Sequence, residues 1–477
     1  MESEDRYRGI APAALVVALL LLSLLPAQAL GQEGDGALLS LRSPQDDGSS
    51  LEPVSTEPGP DPVDVPDVKE AVPGKNPGEA FGGQTAGIGD VDNDGYDDVA
   101  VLVPYRGYCV VFLGGHQVLE SPVHPLEGTG LILSLQSQVR PAGDIDFDGF
   151  DDVLITAPDL YVDGMRAAGA VFIFYGSPSG LRESPEQVVL GTQKDMRLGS
   201  DVDSVGDINK DGYSDIVVGS DGWDGARGMA QLFMGGPDGL DLDPVWTWQG
   251  ENPGDRFGHA VTGAGDINAD GWMDFAVGAP FVNGGEGRGA IYFFYGRADL
   301  SVMEPGQIIE GKVPKSYFGL SLRMAGDVNR DGFADLIISA PEADSGPNLK
   351  AGKVELYLGS ERGIDTKPRL VFQGESSEAL LGYSIAFLGD VNRDGFDDVG
   401  IGAPYHSYGG EAERGKFYVF LGDKGGFRKE PSVQEMGSAA GDHFSMGLAG
   451  AGDLDGDGFA DVLVGAPGAD TAYGIDS

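Results

Sequence analysis

A nine-residue pattern, Asp-x-Asp/Asn-x-Asp-Gly-aromatic-x-Asp, recurs seven times in the chain, starting at Asp90, Asp144, Asp207, Asp266, Asp327, Asp390 and Asp453. Successive copies are 54 to 63 residues apart, so one structural unit repeats. In each copy, oxygen-bearing side chains fall at positions 1, 3, 5 and 9, with glycine at 6. Alternate residues of such a loop turn their oxygens inward, and the glycine permits the sharp bend. This is how a short segment wraps a hard cation.

The predicted ligands follow copy by copy, with the position-7 residue contributing its carbonyl. The first loop offers Asp90, Asp92, Asp94, Tyr96 and Asp98, and the second Asp144, Asp146, Asp148, Phe150 and Asp152. The third offers Asp207, Asn209, Asp211, Tyr213 and Asp215, and the fourth Asp266, Asn268, Asp270, Trp272 and Asp274. The fifth has Asp327, Asn329, Asp331, Phe333 and Asp335, and the sixth Asp390, Asn392, Asp394, Phe396 and Asp398. The seventh has Asp453, Asp455, Asp457, Phe459 and Asp461. A set of hard oxygens favours calcium (Ca2+), at up to seven sites. Magnesium retains more water in a stricter octahedron, and transition metals seek His or Cys. An EF-hand needs Glu at position 12 and flanking helices, but position 12 of the first loop is Val101 and its flanks alternate like strands. A single Asp-Gly cluster is often a plain turn. Seven in register are not. The expected role of the ion is structural.

Formal net charge is −45, and seven divalent ions would offset 14 of those charges. The chain stays strongly acidic, which argues against nucleic acid or an anionic membrane as partner. Cys109 is the single cysteine, so it has no internal disulfide partner, and it reads as an inert core thiol. Residues 1–29 read as a cleaved signal peptide, with an apolar stretch over Ala11–Leu25 and a small-residue site at Ala27-Gln28-Ala29. No later segment is long and apolar enough to span a membrane. Residues 30–67, rich in Pro, Asp, Glu, Ser and Gly, read as a disordered acidic linker. The repeat domain is placed at 68–477.

Each unit reads as four short strands. In unit four these centre on Phe257–Thr262, Phe275–Gly278, Gly289–Gly296 and Gln307–Gly311, with the ion loop between the first two. The register is tight. Nine residues before each loop stands Phe81, Leu135, Leu198, Phe257, Phe318, Leu381 or Phe444, always large and apolar. Six residues after each loop stands Pro104, Pro158, Asp221, Pro280, Pro341, Pro404 or Pro467, so only unit three departs from proline. The position-7 ring is expected to pack between neighbouring units.

Phe-Gly at 257–258 and 318–319, Gly-Ala-Pro at 278–280, 402–404 and 465–467, and the Asp-rich loop between them resemble FG-GAP repeats. Such repeats build the propeller at the head of integrin α chains and occur in secreted bacterial proteins. An ion loop in every unit resembles the bacterial members more. Unit two departs with Leu135-Gln136 and unit three with Gly219-Ser220-Asp221. The resemblance implies an all-β, seven-bladed β-propeller with four-stranded antiparallel blades. Unit seven has no third strand in sequence, while Val68–Pro73 resembles a fourth strand that closes the ring. The last blade is therefore expected to be incomplete or supplemented, or the chain truncated.

No nucleophile elbow or phosphate-binding glycine loop is present, and the five histidines are scattered, with His406 expected in solvent. The chain is read as non-enzymatic, with no catalytic residue. Strand order places the ion loops on one face and the more variable loops on the other. The latter carry Tyr105, Tyr161, Trp223, Phe281, Tyr405 and Tyr408, and a basic residue in each of units one to six: Arg106, Arg166, Arg227, Arg288, Lys350 and Arg414. These cations either pair locally with loop acids or ring the propeller mouth. The expected function is a secreted, periplasmic or cell-surface binding or adhesion module for a protein or glycan. The alternatives are the non-catalytic propeller of a secreted hydrolase (as in phospholipase D of the glycosylphosphatidylinositol type) and a structural envelope protein.

Overall fold

The computed structural model describes residues 81–469 apart from 116–124, 126–132, 135 and 283–286, together with the backbone of 16–20 and 68–73. Every sheet is antiparallel, and successive strands of a unit lie side by side. Unit three runs Leu198–Gly206, Asp215–Ser220, Met229–Phe233 and Trp246–Gln249 in spatial order, and unit four Ala260–Gly265, Asp274–Ala279, Ala290–Phe294 and Gln307–Glu310.

Strand two of each unit is apolar without alternation because both of its faces are covered. Ile216 and Val218 pack in the layer shared with unit two, while Val217 between them packs in the layer shared with unit four. The core is thus a series of inter-unit layers rather than one central mass. Strand four is an edge and reverts to alternation, with Trp246 buried and Thr247 and Gln249 exposed. The anchors before the loops fill these layers: Phe81, Leu198, Phe257, Phe318, Leu381 and Phe444 are all buried. Leu135 lies outside the described residues.

The expected count of seven four-stranded blades, the last unfinished, is corrected. Among the described residues there are six four-stranded antiparallel blades, one from each of units two to seven. Unit one contributes a sheet of three described strands, Gln84–Gly89, Asp98–Val103 and Tyr108–Phe112. Its apolar residues enter the layers of unit seven on one side and unit two on the other. The blade of unit seven is complete. Its order is Leu448–Gly452, Asp461–Ala466, Val16–Leu20, Val68–Pro73. Asp461–Ala466 is buried throughout, and an unpaired outer edge there would strand its N–H and C=O groups. Val16–Leu20 meets that need, pairing Val16 with Ala466 and with Pro73. Val68–Pro73 holds the outermost place, as its likeness to a fourth strand suggested. The pentapeptide Val-Val-Ala-Leu-Leu lies within the apolar run that reads as a leader. The rest of that run and the 30–67 segment lie outside the described residues.

Candidate cation loops and the opposite face

Every loop joins strand one to strand two, and its carboxylates fold it before any ion is considered. In the third loop Asp207 accepts from the N–H groups of Asp211 and Gly212, both at 2.9 Å, and Asp211 accepts from Tyr213 N–H at 3.1 Å. Position 9 is fully buried and braces the loop base. Asp215 accepts from Ile208 N–H at 3.0 Å and from Gly235 N–H at 2.9 Å. Asp98, Asp152, Asp274, Asp335 and Asp398 do the same in their units. The N–H partner after strand three is always glycine. A Cβ on Gly235 would lie 3.0 Å from the Tyr213 Cβ and 2.4 Å from the Ser214 carbonyl. That recurrent glycine was a readable signal.

The residues fit a hard cation. Carboxylate oxygens of Asp90, Asp92 and Asp94, of Asp144, Asp146 and Asp152, and of Asp453, Asp455 and Asp461 converge within 4.8 Å of one another. Loops three to six bring Asn209, Asn268, Asn329 and Asn392 to position 3, an amide oxygen in place of a carboxylate. Asp146 Oδ1 and Asp453 Oδ1 are buried with no hydrogen-bond donor, a costly state that a cation would relieve. Burial, with mutual repulsion among the loop carboxylates, raises the pKa of Asp92 and Asp146. At position 9 burial raises it further, to about 7 at Asp98, Asp215 and Asp274 and about 8 at Asp152, Asp335 and Asp398. The backbone N–H bonds oppose the shift without overcoming it. A divalent ion supplies the positive charge such a cluster lacks.

The position-7 rings are half-buried between units, as expected. Position 4 was not singled out in sequence, yet it is what meets them. Lys210 sits 4.0 Å over the Trp272 ring of the next unit, Arg393 4.1 Å over Phe459, and Arg330 5.7 Å over Phe396. Phe147 packs edge-on to Tyr213 at 6.1 Å. Position 4 is left-handed in all seven loops, with φ from 54° at Asn93 and Ala269 to 73° at Gly456. The side chain is thereby thrown across the unit boundary.

On the opposite face the cations mostly pair locally. Arg166 binds Asp195 through two bonds of 2.8 and 3.0 Å, Arg227 meets Asp224 at 2.9 Å, Lys350 meets Glu342 at 3.1 Å, and Arg414 meets Glu411 at 2.9 Å. Arg288 donates to the Lys312 carbonyl. The ring of free positive charge is therefore not what these residues form. Tyr161 and Tyr408 are exposed, whereas Trp223, Phe281 and Tyr405 are half-buried. His406 is buried rather than solvated, with Nδ1 3.1 Å from Ser376 Oγ, and burial lowers its pKa.

The departure in unit three has a consequence. Asp221, standing where other units have proline, is fully buried and gathers Arg197 at 2.9 Å, His259 at 2.9 Å and Arg256 at 3.2 Å. Burial alone would raise its pKa, but His259 and the two guanidiniums pull it down to about 2. Arg256 also lies 5.1 Å over Phe281, which tilts against Tyr317 at 5.0 Å. Sequence reading missed this cluster because its members come from separate segments.

The FG-GAP repeat family profile matches residues 199–233, 257–294 and 318–355, and the FG-GAP-like repeat profile matches 390–464. Over these segments the chain carries FG-GAP repeats, and it is similar to integrin α chains. It is 36% identical to integrin alpha-5 of Xenopus laevis over 223 residues, 45% of this chain and 20% of that one. It is 30% identical to integrin alpha pat-2 of Caenorhabditis briggsae over 278 residues, 51% and 22% of the two chains. Against human integrin alpha-IIb it is 39% identical over 168 residues, 34% and 16%. The matched part of this chain spans about a fifth of the length of these relatives. Among the described residues no helix is long and apolar enough to cross a membrane.

Proposed function

We propose that the chain is a calcium-binding, secreted or cell-surface propeller that acts as a non-enzymatic binding or adhesion module. Calcium has a structural role here, tying strand one to strand two in each unit. The partner is a protein or glycan on the face opposite the loops. The observation that carries the reading is the division of labour between the two faces. One face is occupied by seven near-identical acidic loops locked to each other. The other is built from loops of differing length with exposed Tyr161 and Tyr408 and the Asp221 cluster. Aromatic and Arg groups on such a surface suit recognition, and the likeness to integrin α chains supports it.

The test is binding of the purified chain to immobilised extracellular-matrix proteins and to a glycan array, with calcium and with chelator. Tyr161→Ala with Tyr408→Ala should abolish calcium-dependent binding while the melting curve is preserved. Lys210→Ala, on the loop face, should leave binding intact. Equal loss in both variants would refute the assignment of faces. Export by residues 1–29 is part of the proposal and competes with the sheet pairing of Val16–Leu20. The intact mass of the protein recovered from the medium decides it: a start at Leu30 supports cleavage, and retention of residues 16–20 supports the strand.

A further inference from the structure

Positions 1, 3, 5, 7 and 9 of each loop carry the candidate cation ligands, and position 8 stands among them without one. The structure gives it a different task. Asp151 Oδ2, at position 8 of unit two, accepts from the backbone N–H of Asp90, position 1 of unit one, at 3.0 Å. Asp97 of unit one does the same to Asp453 of unit seven at 2.7 Å, and Asp397 of unit six to Asp327 of unit five at 2.7 Å. At each of these boundaries the residue before position 1 is a left-handed glycine whose missing side chain leaves the slot open. A Cβ on Gly89, Gly452 or Gly326 would lie 2.1 Å from the carboxylate oxygen. Elsewhere the same slot receives Ser214, Met273, Ala334 or Ala460.

Position 8 lies between two ligands of its own loop, the carbonyl of position 7 and the carboxylate of position 9. A cation that orders those two fixes the residue between them. That residue in turn holds the backbone of the first ligand in the neighbouring loop, whose side chain closes the turn there. We propose that Asp97, Asp151 and Asp397 are positioning residues that couple cation binding across unit boundaries. The loops of units seven, one and two form one linked block and those of five and six another. The boundaries filled by Met273, Ala334 and Ala460 are uncoupled. The inference rests on the loops being cation sites, and linkage makes the coupling reciprocal.

The test is calorimetric titration with calcium of the chelated full chain and its variants, with melting in saturating calcium as the folding control. Asp144→Ala removes the second loop's site. It should also weaken one further site, that of loop one, by about 5- to 150-fold, the usual range for coupled sites. Asp266→Ala, whose loop has no carboxylate at either boundary, should remove one site and leave the rest unchanged. Asp151→Ala should keep every site, weaken one, and cancel the secondary effect of Asp144→Ala in the double variant. Asp151→Asn retains an acceptor oxygen and should restore most of the affinity, which a merely structural lesion would not allow. If Asp144→Ala behaves like Asp266→Ala, the coupling is refuted although the cation sites stand. If the wild-type chain takes up no calcium, both readings fall.

Discussion

Asp274→Asn separates the part of stability that belongs to the carboxylate's charge from the part that belongs to its hydrogen bonds. Asp274 is fully buried and accepts from Ile267 N–H at 2.9 Å and Gly296 N–H at 2.8 Å. Burial, with repulsion from Asp270 and Asp266, raises its pKa from 3.8 to about 7 in the cation-free fold. The folded state therefore holds the proton more tightly than the unfolded chain. Stability present near the ordinary carboxylate pKa is lost as pH rises toward about 7, and three units correspond to about 4 kcal/mol. Asparagine cannot ionise, so it escapes that loss, but it has one acceptor oxygen for two N–H donors and forfeits about 1–3 kcal/mol at every pH. In chelator the variant should be less stable than wild type at about pH 4, and more stable by about 1–3 kcal/mol at about pH 8. Saturating calcium at the higher pH should restore the wild type's advantage, because the variant lacks one charged ligand. Urea unfolding under the three conditions reads all of this. An Asn-minus-Asp difference that does not move with pH in chelator would refute the reasoning.

Asp221→Ala removes the carboxylate shared by Arg197, Arg256 and His259, while Arg197 keeps Asp159, and should cost about 1–3 kcal/mol in urea unfolding, above a surface ion pair. A loss under about 1 kcal/mol would make the cluster a surface feature. Phe257→Ala should cost about 3–5 kcal/mol by opening a cavity against Tyr292 and Phe294, whose ring centroids lie 5.1 and 6.4 Å away. Cys109 is buried, and burial pushes its thiol up to about 12. It should react with a thiol reagent only as fast as the protein unfolds, and prompt stoichiometric labelling of the native chain would contradict its place in the core.

The loops were legible because one Asp-rich spacing recurs in every unit, so Asp90 to Asp98 and their six copies announce themselves, and carboxylates do converge in loops one, two and seven. The strands after them were legible because burial on both faces demands an unbroken apolar run. Positions 4 and 8 were not. Their partners lie in a neighbouring unit, the next one for position 4 and the preceding one for position 8, and the residue type drifts from Asn93 to Phe147 to Lys210, or from Asp97 to Ser214 to Met273. Asp221 read as a lapse from the proline anchor, since nothing local reveals that Arg197, Arg256 and His259 converge on it. Val16–Leu20 illustrates a deeper ambiguity. A leader and a core strand are both short apolar runs, so the segment that reads as a cleaved leader is also the one that pairs with Asp461–Ala466, and composition does not separate the two.

Calcium bound per chain, measured by equilibrium dialysis of the chelated and refilled protein, tests the central claim most directly. The loops predict uptake of several ions, up to seven per chain, with one fewer in Asp266→Ala. Less than one ion per chain, in protein shown to be folded, would contradict the account.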